Sequence, residues 1–178
     1  MKELLTELVK RAEADYCEIR VEDSSQTSIA FQGKDLDNVQ ESHMFGGNVR
    51  ACVNGCWGFV TFNNLDSLAE KTQDAVRNAR AAAAASAEKS VLAPVDPVQD
   101  VVKLDLQSDP RNVKLEDKIA LFGGYNERML SNEGVTSTNL RYFDKYTHIH
   151  FANSDGTWLD REAMDMGMGG GAVARNNG

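Results

Sequence analysis

The sequence predicts an α+β fold: an N-terminal antiparallel sheet with packed helices, then a helix and the start of a second antiparallel β-rich domain. Three observations carry this. Apolar residues recur at helical period near the N-terminus and again after position 66. Between those stretches, apolar and polar residues alternate with the period of half-buried strands. All three prolines, Pro94, Pro97 and Pro110, fall in one segment that cannot be a continuous helix.

The elements follow in order. Leu4, Leu5, Leu8, Val9 and Ala12 share one face of a first helix. Cys17, Ile19 and Val21 alternate with Glu18, Arg20 and Glu22, which predicts a strand over 16–23. A second strand is expected at 28–32, a turn at 33–35, and a returning strand at 36–41. Asn54-Gly55 sits between β-rich runs at 48–53 and 56–62. A type I′ turn needs positive φ at both central residues, and Asn-Gly supplies it cheaply. That register sets Val53 opposite Cys56 and Cys52 opposite Trp57, so Cys52 and Cys56 are not placed to form a disulfide.

Ser67-x-x-Glu70 is a capping-box pattern, with Asn64 and Asp66 as rival caps. It opens a helix over 67–87 whose buried stripe is Leu68, Ala69, Thr72, Ala75, Val76 and Ala79. The alanine run at 81–85 reads as a helix end packed close to a neighbour. Asp109-Pro110 suits the opening of a short turn. Leu115, Ile119, Phe122 and Met129 mark a helix over 113–130, kinked, weak or closely packed at Gly123-Gly124. Strands are then expected at 135–143, 146–152 and 157–164, with a fourth starting at 172–175. Asp144-Lys145 joins the first two, and Asn153-Ser154-Asp155-Gly156 is a turn. The resulting domains are 1–88, a linker at 89–109, and 110–178. Asn176-Asn177-Gly178 introduces no partner strand, so the chain reads as cut inside a hairpin.

Composition narrows the function classes. Of the 178 residues, 42% are hydrophobic, which supplies a core and excludes wholesale disorder. A net charge of −8 repels polyphosphate and argues against direct nucleic-acid contact. No apolar run has the roughly 18 residues of a membrane span, and no signal peptide opens the sequence. Cys17, Cys52 and Cys56 read as reduced thiols of a cytoplasmic protein, and Cys52 and Cys56 as buried and inert.

Candidate chemistry is sparse. His148 and His150, two apart on an expected strand, face one side with Tyr146. They could share a metal, but no carboxylate at fixed spacing completes a site, and a solvent-facing polar row is the expectation. Gly167-Met168-Gly169-Gly170-Gly171 lacks the lysine and helix start of a phosphate loop and reads as a flexible turn. Met164, Met166 and Met168 read as packing residues, and Gly46, Gly47, Gly55 and Gly58 as turns and close packing. His43 and Asp155 carry no motif. No residue is assigned a catalytic, cofactor-binding or metal-binding role.

Four stretches carry a family resemblance. They are Ala14-Asp15-Tyr16-Cys17-Glu18-Ile19-Arg20-Val21-Glu22; the hairpin from Gly47-Asn48-Val49-Arg50 to Trp57-Gly58-Phe59, followed by Asn64-Leu65; Asp109-Pro110 through Lys118 and Tyr125-Asn126; and Phe151-Ala152-Asn153-Ser154-Asp155-Gly156. In this order they resemble the TldD/PmbA family, historically called modulators of DNA gyrase. The resemblance implies a cytoplasmic zinc metallopeptidase of paired TldD- and PmbA-type subunits, acting on unfolded or extended peptide. TldD-type members carry an H-E-x-x-x-H helix whose histidines bind zinc and whose glutamate activates water. This chain has no such motif, and His148 and His150 do not match it. The resemblance therefore implies the N-terminal portion of the peptidase, shaping its substrate cavity and subunit interface, with zinc held elsewhere. The alternatives are a non-catalytic PmbA-type partner or a free-standing binding module.

Overall fold

The computed structural model describes residues 1–175; the turn signal at 176–178 lies outside them. The elements are α1 (Lys2–Arg11), β1 (Tyr16–Gln32), β2 (Asp35–Val53), β3 (Cys56–Phe62), α2 (Leu68–Ala85), β4 (Gln99–Val102), α3 (Leu115–Leu130), β5 (Val135–Asn153) and β6 (Trp158–Ala174). A 3₁₀ turn occupies Pro110–Asn112, as Asp109-Pro110 predicts, and there the Asp109 carboxylate accepts from the Arg111 amide. The strands form one mixed sheet in the order β3-β2-β1-β5-β6-β4. β2 and β3 are antiparallel, and β4, within the proline-bracketed segment, joins β6 in parallel. The α+β class stands.

The Asn54-Gly55 hairpin forms as its residues require. Both turn residues have positive φ, 49° and 72°. Val53 pairs with Cys56 and Cys52 with Trp57, and all three thiols are free and buried. Helix α2 lacks the expected capping box: Ser67 precedes the first turn but makes no side-chain cap. Asn64 Oδ1 instead accepts from the Asp66 amide. Ala69 is exposed, while the rest of the expected stripe is buried.

Four expected breaks are absent. β1 runs through 24–27, β2 through 42–47, β5 through Asp144-Lys145, and β6 through the glycine run. The alternation rule reads polar residues as outward or as turns, and here several point inward. Ser24, Thr27 and Asp144 are buried. In β6 the glycines make room. Phe143 lies over Gly167, and a Cβ on Gly170 would meet the Asn139 carbonyl. A flexible turn at 167–171 is thus corrected to a closely approached strand. Met166 and Met168 are exposed on it, not packed.

The chain divides into two compact units. The first comprises 1–24, 44–103 and 147–162. Its core joins Leu5 and Val9 of α1, Cys17, Ile19 and Val21 of β1, and Leu68, Ala75, Val76 and Ala79 of α2, with Ala152 and Trp158. Gly58 brings β3 against α2, because a Cβ there would collide with the Ala75 carbonyl and the Ala79 amide. Ala75 and Ala79 are the other half of that close approach, whereas the alanine run at 81–85, expected to pack against a neighbour, has Ala81, Ala84 and Ala85 exposed. The second unit comprises 25–43, 104–146 and the chain from 163. Its core is Ile29, Phe31, Phe122, Leu140 and Tyr142. Helix α3 passes unbroken through Gly123-Gly124, with Phe31 against Gly123. No helix among the described residues is long and apolar enough to cross a membrane.

Candidate functional site

In the first unit, alternation along the strands sorts two sets of side chains. Cys17, Val49, Ala51 and Cys56 face the core. Their neighbours Tyr16, Glu18, Arg50 and Trp57 therefore gather on the opposite face. The Tyr16 hydroxyl donates to Glu18 Oε2 at 2.6 Å. Arg50 Nη1 reaches Glu18 Oε1 at 3.0 Å, and its guanidinium lies 4.5 Å over the Trp57 ring. Tyr16 meets Trp57 edge-on at 5.9 Å, and Asn153 Nδ2 donates to the Tyr16 hydroxyl at 3.4 Å. Burial first, and then the hydrogen bond to Glu18, hold the Tyr16 phenol above its ordinary range. These residues come from three stretches far apart in sequence, and they build one half-buried polar and aromatic platform. A fixed guanidinium braced by a carboxylate and an indole suits recognition of carbonyl or carboxylate groups.

A second cluster occupies the face that carries Trp158. His148 and His150 do share a face, as their spacing requires. That face is not solvent-facing: their side chains are 26% and 17% exposed. His150 stacks on Trp158 at 5.8 Å and lies 4.3 Å from the His148 ring. Asp160 of β6 completes the group, with Oδ1 at 2.7 Å from His148 Nε2 and Oδ2 at 3.7 Å from His150 Nδ1. Lys103 Nζ is 3.4 Å from Asp160 and 3.0 Å from Glu162. Burial, then the charge of His148, lower the His150 pKa below its ordinary value. Burial alone would raise Asp160, but the His148 hydrogen bond and the charges of His150 and Lys103 outweigh it and hold the carboxyl below its ordinary value.

Asp160 carried no signal of its own in the sequence. The turn does supply one in hindsight: the Asn153 amide bonds the Thr157 carbonyl, and counting three residues outward from each sets His150 opposite Asp160. His43 lies exposed on β2, and Tyr146, in the second unit, lies 4.0 Å beneath the Arg111 guanidinium. All three histidines of the chain, His43, His148 and His150, lie on strands.

Comparisons with known proteins agree with one another. The model of the PmbA/TldA metallopeptidase domain 1 matches residues 17–83, and that of the PmbA/TldA metallopeptidase central domain matches 108–178. A metalloprotease of Synechocystis sp. is 34% identical over 99% of this chain and 38% of its own length. A metalloprotease of Methanothermobacter thermautotrophicus is 25% identical over 90% of this chain and 34% of its own length. This chain thus spans well under half the length of these relatives. Among solved structures, a candidate modulator of a DNA gyrase from Thermotoga maritima is similar in fold, with a TM-score of 0.76 at 17% identity over 99% of this chain and 40% of that one. TldE from Thermococcus kodakarensis gives 0.69 at 14% identity, over 99% and 40%.

Proposed function

Because this chain belongs to the PmbA/TldD metallopeptidase family, we propose that it is the front portion of a TldD/PmbA-type zinc-dependent metallopeptidase, where it shapes the substrate cavity and the subunit interface. One observation carries this reading. Three of the stretches that resemble the family, around Tyr16, Arg50 and Asn153, meet as neighbouring side chains on one sheet face. A platform of that kind positions a peptide or a partner without performing chemistry itself.

The catalytic zinc of such a peptidase does not fit this chain. Its motif needs two histidines on one helix, and the histidines here are on strands. No catalytic step is therefore assigned to these residues. Their work is binding. Arg50 and Trp57 offer a fixed cation and an aromatic surface to an extended peptide. β3 pairs with β2 only from Gly47 to Val53, and among the described residues this leaves the 35–43 segment of β2, in the second unit, as a strand edge. Such an edge accepts an added peptide strand through main-chain hydrogen bonds. The setting is cytoplasmic, beside a second TldD- or PmbA-type subunit.

The test uses the full-length protein of the gene. Cleavage of an unfolded peptide should be abolished by a chelator. Arg50→Ala should raise KM for that peptide while bound zinc per subunit stays constant. Unchanged peptide binding by Arg50→Ala, with no exchange protection on 35–43 or on the platform, would overturn the binding role. Peptide binding without chelator-sensitive cleavage would instead mark a non-catalytic partner subunit.

A further inference from the structure

We propose that His148, His150 and Asp160 form a binding site for a divalent transition-metal ion of the zinc class. This goes beyond the peptidase reading and does not rest on it. The three residues each offer a donor atom, and these atoms lie within 4.8 Å of one another. A four-coordinate ion with donors at about 2.0–2.1 Å holds those donors roughly 3.3 Å apart. The separations of 2.7 Å from His148 Nε2 and 3.7 Å from His150 Nδ1 to the Asp160 carboxylate lie on either side of that value.

A second, independent observation concerns His150. Its Nδ1 is buried and has no hydrogen-bond partner. A buried imidazole nitrogen with no hydrogen bond, 3.7 Å from a carboxylate, is accounted for by an ion between them. The donor set decides the class of ion. Calcium and magnesium take oxygen ligands almost exclusively, whereas two imidazoles and one carboxylate suit zinc and its first-row neighbours. The three side chains are 17–26% exposed, so water reaches the remaining coordination position. The N-terminal ammonium and Lys103 are opposing charges near the site, and of the two Lys103 contacts Asp160 itself. Its shorter contact is with Glu162, which retains it when the ion takes Asp160. The ion would staple β5 to β6 beside Trp158.

The full chain is stripped with a chelator, dialysed, and titrated with Zn²⁺ by calorimetry and with Co²⁺ by visible absorption. One equivalent should bind, Co²⁺ should show the ligand-field bands of a low-coordinate site, and Zn²⁺ should raise the melting temperature. His148→Ala and His150→Ala should each weaken Zn²⁺ at least about 100-fold, beyond the 10–100-fold effect of lost outer-shell partners. Lys103→Met should tighten binding several-fold. Asp160→Asn, nearly isosteric, repeats the test should either alanine variant lose its helical circular dichroism. No stoichiometric uptake would overturn the proposal. So would uptake that is unchanged in these variants, which would place the ion elsewhere.

Discussion

Lys118 of α3 and Asp144 of β5 form an ion pair of 2.6 Å with only 7% and 6% of their side chains exposed. The Tyr142 hydroxyl donates to the same Asp144 oxygen at 2.6 Å. Two charges inside the second unit are thus each other's compensation. Removing one strands the other, at a cost of about 3–5 kcal/mol, whereas a packed apolar pair of similar volume is near neutral. Asp144→Leu should therefore lower unfolding stability by about that amount. Lys118→Met combined with Asp144→Leu should recover most of it. Urea denaturation of the two variants decides, and equal stabilities would refute the coupling.

Asn126 makes a second buried connection in that unit. Its Nδ2 donates to the Gly33 carbonyl at 2.8 Å, and its Oδ1 accepts from Thr138 Oγ1 at 2.7 Å. One side chain therefore ties α3 to the β1–β2 turn and to β5. Asn126→Ala removes the Gly33 carbonyl's side-chain donor and one of the Thr138 hydroxyl's contacts. With a penalty of about 1–3 kcal/mol per stranded group, the variant should lose roughly 2–4 kcal/mol. Thr138 Oγ1 also reaches the Gly33 carbonyl at 3.3 Å, which limits the loss. Thermal unfolding shows whether the value lies in that range.

Two glycines should respond in opposite directions. A Cβ at Gly58 would run into the backbone of α2, and backbone cannot swing aside. Overpacking of this kind costs about 1–3 kcal/mol, more where helix and strand must separate. Gly124 lies inside α3 with open space at its Cβ position. There alanine gains helix propensity worth about 1 kcal/mol. Gly58→Ala should lower the melting temperature and Gly124→Ala should raise it.

The same pairs explain what was legible in the sequence. Asn54-Gly55, Leu68-to-Ala79 and Asp109-Pro110 are governed by neighbours within a few residues, and their turn, helix stripe and capped 3₁₀ turn follow from those neighbours alone. Asp144-Lys145 reads as a turn because its compensating cation, Lys118, lies 26 residues away on a helix. The glycine run in β6 reads as flexible because its reason is Phe143 and the Asn139 carbonyl on the adjacent strand. The candidate sites fail for the same cause. The His148 and His150 pair is visible from period two, but its carboxylate comes from a neighbouring strand, and the Tyr16–Arg50–Trp57 platform needs three strands in register.

Alkaline pH should destabilise the chain, and the sign follows from its buried acids. Burial, and then the neighbouring Glu18 charge, push the Cys17 thiol up to about 12. Burial, and then Asp144, also raise the Tyr142 phenol above its ordinary range. In the unfolded chain these groups release protons near their usual values, about 8.5 for the thiol and about 10 for the phenol. Between those values and the raised ones the folded state holds more protons than the unfolded state. Stability is then fully present below pH 8.5 and falls as pH rises, by at most about 1.4 kcal/mol per pH unit for each group. The decline should begin near pH 8.5 with Cys17 and Cys52 and steepen above pH 10 as Tyr142 and Tyr16 join. Cys17→Ser would shrink the first phase to the part due to Cys52 and leave the second. The thiols give an independent readout: Cys17, Cys52 and Cys56 are 0%, 1% and 6% exposed. Iodoacetamide at pH 8 should label none of them in the native chain and all three in urea. Rapid native labelling of Cys17 at pH 8 would show that its thiol is neither shielded nor held protonated, and the alkaline phase assigned to it would have to come from another group.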